Sequence, residues 1–315
     1  MYISEQEVRA VLTYQALIPA IRQALLDYSA GLIVQPPRAI LRAGNAEGPS
    51  NGWFAVMPVI AGDVMCVKTV TFYPGNAEQG LPTHMAVIEL LNRSTGEPLA
   101  LMDGRLITEM RTAAVSAVAF AALAPLHFET PPVTFGILGS GVQAHAHIQA
   151  LRHVWPTLQP ENILIWSRTP ANAERLASDT GARAVKIEEA AAADVVLTAT
   201  ASPEPVLHGR WLASHSLVLA VGATGATLRE LDHEAMLSSF VVAESRSSVE
   251  RESGDVRIAG ARVEAEIGEI LLSPGSAAIP RNKRVVFKSV GMAIEDLVAA
   301  RLVWQASGSQ VPRAD

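Results

Sequence analysis

The stretch VTFGILGSGVQAHAHIQALRHV at 133–154 sets a short unbroken apolar run, a glycine turn and an amphipathic segment in immediate succession. Nothing else in the chain restricts its fold as much. An unbroken apolar run of this length reads as a strand buried on both faces. In the turn Gly139-Ser140-Gly141-Val142-Gln143-Ala144, the first glycine permits the tight bend and the second lets backbone approach an anion at the helix start. Ala144 is small enough for helix to lie on strand. Further apolar runs follow at NILIW (162–166), DVVLTAT (194–200), SLVLAVG (216–222) and FVVAES (240–245), separated by helical or loop segments. This alternation predicts βαβ units around a parallel sheet. The expected fold class is therefore α/β, with a Rossmann dinucleotide-binding domain.

The chain before this point has a different texture. Ser4 and Glu7 stand at capping-box spacing, and apolar residues recur at helical intervals up to Gly31, which predicts one helix over 4–30. From Ala39 to Met102 come five β-rich runs, 39–42, 53–59, 64–72, 83–91 and 98–102, separated by GNAEGPSNG, YPGNAEQG and NRSTGE. They predict a mainly antiparallel sheet. Thr108 is placed to cap an alanine-rich helix that ends at Pro125, and RVVFKSVGMAIEDLVAARLVWQ (284–305) returns a strand and a closing helix. With 315 residues the chain exceeds a single core. The boundaries expected are an α+β substrate and dimerisation domain at 1–112, completed by 291–315, and the Rossmann domain at 113–290.

Composition removes several classes of function. Lys plus Arg is 25 against 31 Asp plus Glu, with 5% aromatics and no basic block, so nucleic acid is not an expected partner. No apolar run reaches the ~18 residues of a membrane span, and the first residues lack a signal-peptide pattern. The single cysteine, Cys66, fits a reducing compartment. A cytoplasmic protein with no membrane partner is expected. His145 and His147 have no carboxylate or cysteine nearby in sequence, so no metal site is expected.

The end of the second Rossmann strand carries Ser167-Arg168-Thr169, where an NAD enzyme usually has an acidic residue for the ribose 2′-hydroxyl. A guanidinium and two hydroxyls suit a 2′-phosphate, which points to NADPH, with NADH a possible substitute. In the first domain Arg38, Lys68 and Arg111 stand out. Lys68 lies inside an apolar strand, where an ammonium is costly to bury. Arg111, read as part of a first helical turn, opposes the helix dipole and calls for an anion. His84 at a strand start is a weaker candidate. Glu295 and Asp296 are accounted for by the dipole of the closing helix alone.

Together these residues resemble the ornithine cyclodeaminase and mu-crystallin family. The likeness runs nearly the whole length: PPRAIL around Arg38, VKTVTFYPGN around Lys68, GLPTH at 80–84 and MDGRLITEMRTAAVSA at 102–117, then ILGSGVQA at 137–144, ESGDV at 252–256, AEIGEI at 265–270 and FKSVGMAIED at 287–296. The resemblance implies a homodimer built through the first domain and a nicotinamide cofactor on the Rossmann domain. It implies that Arg38, Lys68 and Arg111 grip the substrate carboxylate. Thr83, Thr112, the 139–143 turn, Val221, Gly222, Ser289 and Val290 would line the cofactor. The cyclodeaminase branch calls for a glutamate before the Met-Pro pair and an aspartate after the fourth-strand glycine, but this chain has Ala55 and Thr224. The expectation is a reductase of cyclic ketimine acids, with Thr224 holding a water near the imine nitrogen. Ornithine cyclodeamination, alanine-type dehydrogenation and a non-catalytic binding role remain the alternatives that the resemblance carries.

Overall fold

The computed structural model describes residues 1–43, 52–275 and 277–308, so most of the GNAEGPSNG separator lies outside the described residues. Two compact units divide the chain, Met1–Arg111 with Met292–Asp315, and Thr112–Gly291.

The first unit opens with β1 (Tyr2–Ile3), α1 (Glu5–Val11) and α2 (Tyr14–Ser29). The Ser4–Glu7 capping box forms as its spacing predicts, but the single helix expected over 4–30 is two. Leu12 is extended, and Thr13 restarts the helix by accepting the Ala16 amide on its side chain. Apolar periodicity continues through the break, whereas the threonine cap wins the backbone. The sheet that follows has β2 (Ala39–Ala43), β3 (Gly52–Ala61), β4 (Val64–Phe72), β5 (His84–Asn92) and β6 (Pro98–Asp103). Its order is β1-β6-β5-β4-β3-β2. Strands β2 to β6 pair antiparallel, and β1, absent from the sequence reading, pairs parallel with β6.

Burial alternates along these strands with the period of two that a one-sided sheet needs. Ala55, Met57, Val59, Cys66, Lys68, Val70, Ala86, Ile88 and Leu90 face inward under the closing helix Ala293–Ala306, against which α2 packs. The opposite face leaves Leu41, Met85, Val87 and Leu101 exposed. Helix α3 (Arg105–His127) begins three residues before Thr108 and passes through Pro125. Asp103 takes the Arg105 amide, and Thr108 turns its hydroxyl back to the Gly104 carbonyl. Length and composition would let α3 cross a membrane, but most of it is buried, as in the core helix of a soluble protein.

The second unit contains β7 (Phe135–Leu138), α4 (Val142–Val154), β8 (Ile163–Trp166), α5 (Pro170–Thr180), β9 (Arg183–Ala184), α6 (Ile187–Ala191), β10 (Val195–Thr198) and β11 (Leu217–Ala220). It continues with α7 (His233–Leu237), β12 (Ser239–Ala243), α8 (Arg246–Glu252), α9 (Gly254–Ala259), β13 (Val263–Glu266), α10 (Ile267–Leu272) and β14 (Arg284–Lys288). The strands form one parallel sheet, ordered β13-β12-β14-β11-β10-β7-β8-β9. Strand order reverses between β7 and β10. In doubly wound sheets, the carboxyl ends of the strands at such a reversal make the ligand crevice.

Candidate active site and dinucleotide cradle

In the first unit, strand register puts Lys68 on the inward face of β4, opposite Met57 of β3 and Ile88 of β5. Lys68 is 1% exposed, and its ammonium meets Asp296 Oδ2 at 2.6 Å. Arg111 is buried as well, with Nε 3.1 Å from Asp296 Oδ1 and Nη1 2.6 Å from Glu295 Oε2. Two cations and two carboxylates thus form one buried cluster at the start of the closing helix. This corrects two expectations. Arg111 stands in the second turn of α3, not the first, so the dipole argument does not apply to it. The anions that both cations need are supplied by Asp296 and Glu295, whose complete burial is more than a helix dipole requires of an acid.

The electrostatics follow from burial. Loss of water lowers the Lys68 pKa from 10.5 to about 8; Arg111 and Arg38 add to the lowering, and the Asp296 charge opposes it. Arg38, half-buried ahead of β2, therefore stands close enough to act on Lys68. His84 is held near 4 by burial and then by the Lys68 and Arg111 charges, so it is a neutral neighbour of the cluster. Burial raises the Cys66 thiol, which stays protonated. Thr83, half-buried beside His84, accepts the Tyr73 amide on its carbonyl. The first unit thus brings Arg38, Lys68 and Arg111 near one another, and adds Asp296, Glu295 and His84. A signal for the acids was present: they are the only charges in AIEDLVAA, and two buried cations elsewhere had no counter-ion in sequence.

In the second unit the glycine turn has the geometry that a dinucleotide needs. Gly139 has φ +130°, and a Cβ there would stand 2.5 Å from the Ala199 carbonyl oxygen, so only glycine fits. Gly141 caps α4 without a side-chain hydrogen bond, and a Cβ on it would meet nothing within 4 Å. Open space lies in front of uncapped helix amides, and Val142 is exposed beside it. An anion such as a pyrophosphate fits this cradle by charge and by room. Ala144 is fully buried, and Gln143 keeps a buried Oε1 without a partner among the described residues. Ser140 donates to Ser167 at 2.8 Å, tying the turn to the end of β8. Arg168 and Thr169 next to it are exposed.

Val221, Gly222 and Thr224 follow β11. Val221 is buried and Thr224 half-buried. Gly222 is glycine for a reason the sequence did not disclose: a Cβ would fall 2.3 Å from the Thr200 carbonyl oxygen and on the Glu230 carboxylate. The hydroxyl of Ser289, after β14, donates to Glu244 Oε2 at 2.7 Å, and the Val290 amide donates to Glu244 Oε1 at 2.6 Å. Whatever these two residues present to a ligand, Glu244 holds them. Thr112 is buried in α3. His147 is also buried, its Nδ1 on the Gln143 carbonyl and its Nε2 on Ser116 Oγ. Among the described residues no His, Cys, Asp and Glu group is arranged to hold a metal.

Known proteins resemble the chain over nearly its whole length. The chain is 37% identical to the mouse ketimine reductase mu-crystallin, over 98% of this chain and 97% of that protein. The Δ1-pyrroline-2-carboxylate reductase of Thermococcus litoralis, solved with NADH and L-proline, superposes with a TM-score of 0.89 at 31% identity, covering 98% of this chain and 97% of the other. An archaeal alanine dehydrogenase, solved as a dimer with bound NAD, gives a TM-score of 0.89 at 27% identity over 98% and 95% of the two chains. The model of the ornithine cyclodeaminase/mu-crystallin family matches residues 1–310, and the chain belongs to that family.

Proposed function

We propose that the protein reduces small cyclic ketimine acids, Δ1-pyrroline-2-carboxylate to L-proline and Δ1-piperideine-2-carboxylate to L-pipecolate, with a nicotinamide dinucleotide. The observation that carries this reading is the environment of Lys68. Ala55 lies on the same inward face, one inward position along β3 from Met57, and is fully buried. A methyl group therefore stands where a cyclodeaminase needs a carboxylate for a second, cationic amine. Asp296 and Glu295, the carboxylates beside these cations, are already engaged by Lys68 and Arg111. A ketimine acid asks less of the protein. Its carboxylate needs cations, here Arg38 and Arg111, whose planar guanidinium suits bidentate contact. Its nitrogen needs a proton, which Lys68 Nζ, titrating near 8, can hold and release at neutral pH. The dinucleotide, seated on the Gly139–Gln143 turn, supplies the hydride when bound.

The finer reading is NADPH over NADH. Ser167, Arg168 and Thr169 support it, because an exposed guanidinium beside two hydroxyls attracts a 2′-phosphate that a carboxylate would repel. The protein is further read as a cytoplasmic homodimer. The exposed apolar face of the first unit's sheet, with Leu41, Met85, Val87 and Leu101, supports burial against a second copy. The test is oxidation of NADPH and NADH by each cyclic imine, run beside ammonia release from ornithine. Turnover of an imine with no ornithine cyclisation is expected. Robust ammonia release with catalytic NAD would overturn the assignment.

A further inference from the structure

A buried carboxylate in the second unit, Glu230, accepts three backbone amides and two hydroxyls. Glu230 is 0% exposed. Its Oε1 accepts the Thr200 amide at 2.6 Å and the Thr200 hydroxyl at 2.8 Å. Its Oε2 accepts the Thr198 hydroxyl at 2.9 Å, the Gly222 amide at 2.7 Å and the Ala223 amide at 3.1 Å. One side chain thus ties the loop after β10 to the loop after β11. Asp255 in turn holds Glu230, accepting the Glu230 and Leu231 amides on Oδ1 at 2.7 and 2.9 Å, while Lys288 Nζ lies 3.0 Å from Asp255 Oδ2. Lys288 closes the ring by donating to the Ala223 carbonyl at 3.1 Å.

The loop after β10 abuts the glycine turn itself, since the Ala199 carbonyl is what excludes a Cβ from Gly139. Gly139 of that turn is therefore packed against a segment whose following amide is held by Glu230. We infer that Glu230 is a positioning residue for the dinucleotide, fixing the backbone of 198–200 and 222–223 around the cradle. This rests on the proposed dinucleotide-dependent function. It also explains Gly222, where a side chain would displace the carboxylate.

Glu230→Gln tests it. An amide offers one oxygen and one NH2, and either orientation turns the NH2 toward a backbone N–H: those of Gly222 and Ala223, or that of Thr200. In the full chain the variant should bind NADPH about 10-fold or more weakly, the scale of one unmet buried donor. Amide exchange should quicken at Thr200, Gly222 and Ala223 and not across the sheet. With imine, KM for NADPH should rise while kcat at saturation stays within about 3-fold. A lower melting temperature with NADPH affinity and local exchange unchanged would show a purely structural role and overturn the inference. Should Glu230→Gln not fold, Thr200→Val, which removes the hydroxyl that donates to Glu230 and accepts the Ser202 amide, decides instead: several-fold weaker NADPH binding supports the inference, and unchanged binding overturns it. A wild type that binds neither dinucleotide overturns the proposed function and this inference with it; equal binding by wild type and variant overturns this inference alone.

Discussion

Lys68→Met removes one cation from a cluster in which every charge is buried, and the cost can be worked from its geometry. Asp296 is 0% exposed and would keep only its contact with Arg111, 3.1 Å away, after losing the ammonium at 2.6 Å. Breaking one side of a buried pair costs ~3–5 kcal/mol, because the surviving charge stays buried. The remaining Arg111 contact places this variant at ~3 kcal/mol, the low end of that range. Asp296→Asn should cost about the same, since it leaves the Lys68 ammonium facing a neutral amide. The double variant carries no orphaned charge at this contact, so it should cost less than the sum of the two by ~2–3 kcal/mol. Urea unfolding of wild type, both singles and the double at pH 7 measures this cycle. A sum additive to within ~0.5 kcal/mol would mean that the contact carries no coupling, and the reading of the cluster would fail. The pH dependence gives a second check. The Lys68 ammonium titrates near 8 in the folded protein and near 10.5 when unfolded. Between those values the unfolded chain binds more protons, so wild-type stability gains ~3 kcal/mol from this group as pH rises from 8 to 10.5. Lys68→Met should lack that gain. If Lys68 also delivers the proton to the imine, the folded variant should retain NADPH binding and lose more than ~10-fold in kcat/KM. Near-wild-type kinetics would remove Lys68 from the reaction.

Arg168→Asp should reverse the dinucleotide preference, because the substitution replaces the guanidinium at the end of β8 with a charge that repels a 2′-phosphate; fluorescence titration with NADPH and NADH reads the ratio, and tighter NADH binding by the wild type would contradict the assignment. His147 is buried and held neutral, with its pKa lowered to about 4 from 6.5 chiefly by burial. The unfolded chain alone takes up its proton between those values, so stability should fall by ~3 kcal/mol as pH drops from 6.5 to 4. Urea midpoints across that range should be flatter in a folded His147→Gln variant.

Much of this was legible in the sequence because it depends on neighbours along the chain. The strand, glycine turn and helix at 135–154 could be read from an apolar run, two glycines and a small residue. The Ser4–Glu7 capping box needed only its spacing. Turn-like separators between the consecutive β-rich runs of 39–102 disclosed a mainly antiparallel sheet. Where two local signals competed, as at Thr13, periodicity overran a cap and two helices read as one. Where α3 begins was decided by Asp103 taking the first amide rather than by Thr108.

The parts that only the tertiary structure decided are pairings across long stretches of chain. Arg111 and Glu295 are 184 residues apart, and no pattern along the chain says that one neutralises the other. The same holds for Glu230 with Asp255 and Lys288, and for Glu244 with Ser289 and Val290. A residue type and its spacing can show that a charge will be costly to bury. Which opposite charge or backbone amide answers that cost depends on which segments the fold brings within about 3 Å, and only packing sets that distance.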